Sequence, residues 1–189
     1  MPIRNLAGVI VLGAAVWCAA SAPCEEQAVA EPEHYRNEDY RVPTPRTLRG
    51  ARVVTTPQAE ALWRSGTAVF VDVMPHVARP ADLPARTLWR GKPRHNIPGS
   101  IWLADTGYGE LSASTEAHLR TGLEQITGGE RARLVVIYCL RDCWMGWNAA
   151  KRAVSWGYSA IAWYPDGTDG WREAGLPLSE ATPMPPPRE

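Results

Sequence analysis

Apolar positions in this chain come in short dense blocks separated by stretches of helical period. Residues 52–55, 68–73, 133–138 and 161–164 are runs rich in Val, Ile and aromatic side chains. Runs that are apolar throughout, rather than alternating, predict strands buried on both faces, as in a parallel sheet. Residues 100–103, Ser-Ile-Trp-Leu, predict a further short strand. Between these blocks, residues 57–65 predict a helix opened by Thr56 with Pro57 at its first position. Ser112 or Ser114 caps a second helix that runs to about Thr127 and stops at Gly128-Gly129. Residues 145–156 predict a third, closed by Gly157. Asp166 and Asp169 lack the repeated acids and terminal Glu of a calcium loop, so that stretch predicts a turn. The alternation predicts an α/β fold with a central parallel sheet and helices on both faces, whose ligands sit beyond the carboxyl ends of the strands.

The ends and one connection depart from this pattern. Residues 1–30 carry Arg4, then an apolar stretch over 6–22, then small residues, the layout of a secretory signal. Ala28-Val29-Ala30 fits a cleavage site, which predicts a mature chain starting at Glu31 in the periplasm, with no membrane association thereafter. A retained N-terminal anchor is the alternative, for which the apolar run is short. Residues 31–50 read as a polar, extended lead-in, 51–178 as the domain, and 179–189, with prolines at 183, 185, 186 and 187, as a disordered tail. The long connection 74–99 carries Arg79, Arg86, Arg90, Lys92 and Arg94 against the single acid Asp82. It reads either as a solvated cover for a sheet edge or as a source of cations for an anionic substrate. With 20 basic and 20 acidic residues the formal charge is zero, which removes the electrostatic basis for nucleic-acid binding.

Cleavage of the signal would remove Cys18 and Cys24 and leave Cys139 and Cys143 as each other's only partners. Cys139 ends an apolar strand and enters a short loop before a helix, where unpaired N–H groups favour a thiolate or a bound oxyanion. Cys143 follows in the same loop, so it is placed to resolve an intermediate on Cys139 or to form a disulfide with it. The loop residues Leu140, Arg141 and Asp142, with Trp144 and Met145 at the helix start, are the candidate substrate contacts. Asp72 at a strand end reads as an anchor that accepts hydrogen bonds, with Arg94 and His95 as further supports. His34, His76, His95 and His118 show no metal-ligand spacing with the cysteines, so neither a metal nor a cofactor is expected.

Several of these pieces together resemble the rhodanese domain: Val71-Asp72-Val73, Asn96-Ile-Pro-Gly-Ser100, the strand-ending cysteine, Ala149-Ala150 followed by Gly157-Tyr158, and Gly167-Thr-Asp-Gly-Trp171. The resemblance spans about residues 50–178. The stretches Tyr138-Cys-Leu-Arg-Asp-Cys-Trp-Met-Gly-Trp-Asn-Ala-Ala-Lys-Arg-Ala153 and Trp163-Tyr-Pro-Asp-Gly-Thr-Asp-Gly-Trp171 more narrowly resemble an exported rhodanese-like family named for a CXXCW motif and associated with pyrroloquinoline quinone-dependent alcohol catabolism. The resemblance implies a rhodanese-like α/β fold and sulfur transfer through a persulfide on Cys139, with a small sulfur-containing anion or a partner-protein thiol as reactant. It also implies components of quinone-dependent alcohol oxidation as partners. This chain departs from the pattern in having Met74 where an arginine is usual, Asn96 for the usual His, and three residues between its cysteines where the motif name implies two. Met145 stands where a phosphatase relative would need an arginine to grip phosphate. Three readings stand open on the sequence: sulfur transfer, thiol–disulfide exchange, and an inactive binding module with a structural Cys139–Cys143 bridge.

Overall fold

A computed structural model describes residues 29–77, 79–89 and 91–187. The expected signal, apart from its last two residues, lies outside the described residues, as do Cys18, Cys24 and Arg90. The elements are β1 (Arg52–Val53), α1 (Thr56–Ser65), β2 (Val69–Asp72), β3 (Arg94–Asn96), β4 (Ile101–Trp102), α2 (Ala113–Thr127), β5 (Val135–Tyr138), α3 (Trp144–Ser155), β6 (Ile161–Tyr164), α4 (Gly167–Glu173) and β7 (Ser179–Ala181). A central sheet runs β1-β6-β5-β2-β4, and every pairing in it is parallel. This is the α/β architecture expected from the dense apolar blocks. Among the described residues no helix is long and apolar enough to cross a membrane.

The two-residue period of a strand divides the core. Val135 and Ile137 of β5, Ile161 and Trp163 of β6 and Val71 of β2 face the helices α2 and α3, through Leu119, Leu123, Trp147 and Ala150. Val136 and Tyr138, Ala162 and Tyr164, and Phe70 face the opposite layer, built on Ala59 of α1 and Trp171 of α4. Every residue of β5 and β6 is buried, so both faces need a helical cover.

Four local expectations change. The first helix is capped by Thr55 rather than Thr56: Gln58 Oε1 accepts from the Thr55 N–H at 3.0 Å, drawing the helix start back one residue. The third helix begins at Trp144, with Cys143 as its N-cap, and ends at Ser155. The Asp166–Asp169 stretch forms α4 instead of a bare turn. Its two glycines disfavour a helix, but packing holds it: Trp171 is fully buried, meets Trp63 edge-on at 5.5 Å and donates to the Pro177 carbonyl at 2.8 Å. The segment expected as a disordered tail contains β7, which pairs antiparallel with β3, and Met184 N–H donates to Trp102 O at 2.8 Å. Three backbone residues of β3 have no other strand beside them, and the tail supplies the missing partners.

The lead-in has no helix or strand, as expected, yet it is docked along α3. Asn148, fully buried, is the fastening: its Oδ1 accepts from Arg36 N–H at 3.0 Å, and its Nδ2 donates to Arg36 O at 2.9 Å and Gly107 O at 3.1 Å. Trp147 Nε1 donates to Thr47 O, Lys151 Nζ to Pro32 O, and the Arg152 guanidinium lies over the Tyr35 ring. The outer face of α3 is thereby covered, which is why a helix on the edge of the core buries Trp144 through Ala150 without a break.

Replacing Asn148 with Leu keeps the volume and strips the lead-in backbone of its partners. Urea unfolding is expected to show a loss of about 2 kcal/mol or more, with amide exchange at residues 34–40 accelerated ahead of the sheet.

Candidate functional site

Strand β5 lies between β2 and β6, and its last residue, Tyr138, delivers Cys139 to the carboxyl edge of the sheet. Cys139 and Cys143 are joined in a disulfide, with Cα atoms 6.2 Å apart. The loop curls tightly enough for this because Asp142 adopts a left-handed backbone conformation, φ 51°, which Asp tolerates better than most residues. Both cysteines are buried, at 1% and 3% exposure. Met74 Sδ lies 3.6 Å from Cys139 Sγ.

The loop backbone is held from the α4 side. Leu140 forms an antiparallel bridge with Gly167, and Thr168 N–H donates to Cys139 O at 3.2 Å. Gly167 is required there twice over: its φ is +50°, and a Cβ would sit 2.7 Å from the Cys139 carbonyl carbon. Arg141 N–H donates to Asp169 Oδ2 at 3.1 Å. At the helix side, Trp144 N–H, the first donor of α3, is taken by Tyr40 O of the lead-in at 3.0 Å.

Asp72, at the end of β2 and fully buried, anchors the neighbouring loop. Its Oδ1 accepts from Met74 N–H at 3.0 Å, and its Oδ2 from Arg94 Nε at 2.8 Å. Arg94 then reaches across the carboxyl edge, donating to Thr168 Oγ1 and to Cys139 O, both at 3.5 Å. The Arg94 side chain is only 12% exposed, so the ion pair is desolvated. Burial raises the Asp72 carboxyl above its ordinary range, and the Arg94 charge and the Met74 hydrogen bond only partly offset this. Tyr138 OH, buried beside Asp72, donates to Ser100 Oγ at 2.8 Å and accepts from Ile97 N–H at 3.1 Å; burial drives its phenol well up.

A pocket of about 330 Å³ opens beside the cysteine loop. Met74, Leu140 and Trp102 form apolar wall, and Lys92, Arg94, His95 and Arg172 bring positive or titratable nitrogen without an acid in the lining. Such a lining suits an anion. The structure thus brings Leu140, Arg94 and His95 together next to Cys139, with Asp72 behind them.

Four expected substrate contacts are elsewhere. Arg141 turns away from the pocket to a forked pair with Glu173, at 2.7 and 2.6 Å, because α4 presents Asp166 and Glu173 on that side. Trp144 and Met145 are core side chains under the lead-in: Trp144 stacks edge-on with Trp147 at 5.4 Å and carries Arg36 over its ring. Asp142 is exposed on the loop. Trp102, Arg172 and Thr168 went unrecognised as site residues, since each sits far along the chain from the cysteines. The motif Gly167-Thr-Asp-Gly-Trp171 was the available signal for Thr168. Among the described residues no cluster of three or more His, Cys, Asp or Glu is placed to hold a metal ion.

Compared with known proteins, the sequence matches no family model and no curated protein. Solved structures show fold-level likeness. A thiosulfate sulfurtransferase from Pseudomonas aeruginosa is similar at 18% identity and TM-score 0.48, over 71% of this chain and 21% of that one. A protein of unknown function from Rhodopseudomonas palustris, described as a possible tyrosine phosphatase, is similar at 22% identity and TM-score 0.47, over 72% of this chain and 99% of its own. The homodimeric polysulfide-sulfur transferase of Wolinella succinogenes is similar at 17% identity and TM-score 0.43, over 70% of this chain and 81% of that one. This chain therefore spans about a fifth of the first of them.

Because the fold raises the Asp72 pKa, the native state holds that proton more tightly than the unfolded chain does. Stability from this group is complete below the ordinary carboxyl range and is lost as pH rises through the raised value. Asp72→Asn removes the titration and keeps an acceptor for Met74 N–H. Between pH ~4 and ~7, urea unfolding is expected to show wild type losing stability relative to Asp72→Asn. Arg94→Met, which leaves the buried carboxylate unpaired, is expected to cost about 3 kcal/mol at neutral pH.

Proposed function

We propose that this chain is an exported, rhodanese-like thiol protein that carries sulfur-transfer chemistry at Cys139, with Cys143 as the resolving partner. The observation that carries the reading is the Cys139–Cys143 bridge at the carboxyl end of the central strand, next to a pocket lined by Lys92, Arg94, His95 and Arg172. The bridged state is the end of one cycle and the start of the next. A dithiol reductant opens the bridge and leaves as its own disulfide. Cys139 thiolate then attacks the outer sulfur of an anionic donor such as thiosulfate; the donor S–S bond breaks, sulfite leaves with the electron pair, and Cys139 holds a persulfide. Cys143 thiolate attacks Cys139 Sγ, expels hydrosulfide and restores the bridge. Alternatively, the persulfide passes its outer sulfur to an acceptor thiol before Cys143 acts.

Burial suits this sequence of events. With both sulfurs covered, the bridge resists adventitious thiols and the persulfide is kept from water. The same burial favours a second reading, in which the bridge is structural and the domain is an inactive binding module. For location and company, the support is the N-terminal charged, apolar and small-residue run together with the resemblance of residues 138–153 and 163–171. On that support the protein works in the periplasm beside pyrroloquinoline quinone-dependent alcohol oxidation.

Intact mass separates the readings. After mild reduction and exposure to thiosulfate, Cys143→Ser is expected to gain and keep one sulfur atom. Wild type should return to the bridged mass with release of sulfide, and Cys139→Ser should gain nothing. A bridge that survives mild reductant, with no sulfur gained by any variant, would establish the binding module instead. N-terminal sequencing of protein recovered from the periplasm is expected to begin at Glu31.

A further inference from the structure

The large hydrophobic side chains that stand exposed among the described residues all lie in one loop. Val77 is 60% exposed, Leu88 78% and Trp89 37%, and each belongs to the connection between β2 and β3. A single exposed apolar residue is ordinary, but three gathered on one loop mark a contact surface. Arg79, Arg86 and Lys92 are exposed on the same loop against the one acid Asp82, on a chain of zero formal charge. Apolar anchors among cations are the composition of a surface that receives an acidic protein face. The loop also has a shape of its own: Leu83 N–H donates to Pro80 O, Thr87 N–H to Pro84 O, and Arg79 reaches back to the Pro84 carbonyl.

Its position ties it to the cysteines. The loop leaves the sheet at Met74, whose sulfur touches Cys139 Sγ, and returns at Arg94, whose guanidinium reaches the Cys139 carbonyl. The pocket beside the bridge opens between these two stems, with Val77 and Lys92 on its rim. A partner that grips the loop at Val77 and Lys92 therefore sits at the mouth of the pocket beside the bridge.

We propose that this loop is the docking surface for a dithiol protein with an acidic face, which reduces the Cys139–Cys143 bridge. The inference rests on the reading that the bridge is functional. One partner thiolate attacks a sulfur of the bridge to form a mixed disulfide; the second partner thiol attacks that bond, so the partner leaves oxidised and both cysteines are left reduced. A lipid surface offers the same negative charge but no thiol.

The test measures the rate of bridge reduction in the whole chain, by quenched alkylation and intact mass, with three probes. These are dithiothreitol, a synthetic dithiol peptide flanked by Glu, and the same peptide with Lys for each Glu. The acidic peptide is expected to react about tenfold faster than the basic one at low salt. The ratio should shrink as ionic strength rises and approach one in the double variant Arg86→Glu, Leu88→Ser, with the dithiothreitol rate as the normaliser for each protein. Equal rates for the two peptides on wild type would overturn the docking inference, and loop-dependent binding to phosphatidylglycerol vesicles alongside equal rates would reassign the loop to a lipid surface. A bridge that dithiothreitol itself cannot open would instead overturn the thiol reading beneath it.

Discussion

The rest of this structure depends on the burial of β5 from both sides. A four-residue strand with no exposed position must be paired along both edges and covered on both faces. Strands β2 and β6 meet the first need, and the α2/α3 and α1/α4 layers meet the second. Parallel pairing then brings the carboxyl ends of all three strands to one edge. Asp72, Tyr138 and Tyr164 stand in register there, and the next residue of the central strand is Cys139. The site is thus a consequence of how the core is closed.

At that edge the cysteine loop is held by backbone more than by side chains. The carbonyl of Cys139 accepts from Thr168 N–H and Arg94, and Leu140 pairs with Gly167. Arg94 links this loop to the buried carboxylate of Asp72, and Asp72 in turn holds the backbone of Met74. A desolvated pair of this kind adds little net stability, but removing either partner is costly, so it pins the two stems of the long loop in one arrangement. The tail contributes from a distance: β7 supplies the strand partner for β3, and β3 carries Arg94 and His95.

The lead-in forms a third layer outside α3. Its Tyr40 carbonyl occupies the first N–H of the helix that follows the cysteines, and Asn148 fixes the segment about one turn further along. This removes part of the open helix start that a cysteine in such a loop would otherwise face. The positive charge beside the bridge therefore comes from the side chains of the long loop and of α4 that line the pocket, Lys92, Arg94 and Arg172.

The dense apolar runs at residues 68–73, 133–138 and 161–164 were enough to read the parallel sheet, since only strands buried on both faces are apolar throughout. Proline and glycine punctuation was enough to place α1, α2 and α3 to within a residue or two. The place of Cys139 at the carboxyl edge of the sheet was legible because it ends the most apolar strand before a helix, and that of Asp72 because it ends another. Local sequence could not show α4, β3 or β7: α4 is glycine-rich and stands only because Trp171 is buried against Trp63 and Phe70, and the two short strands exist only through each other. Nor could it show that Arg141 pairs with Glu173, that Trp144 is core, or that Arg94 reaches Cys139, 45 residues away. Those assignments depend on which side of the sheet each connection crosses, a long-range property that local pattern and propensity do not encode.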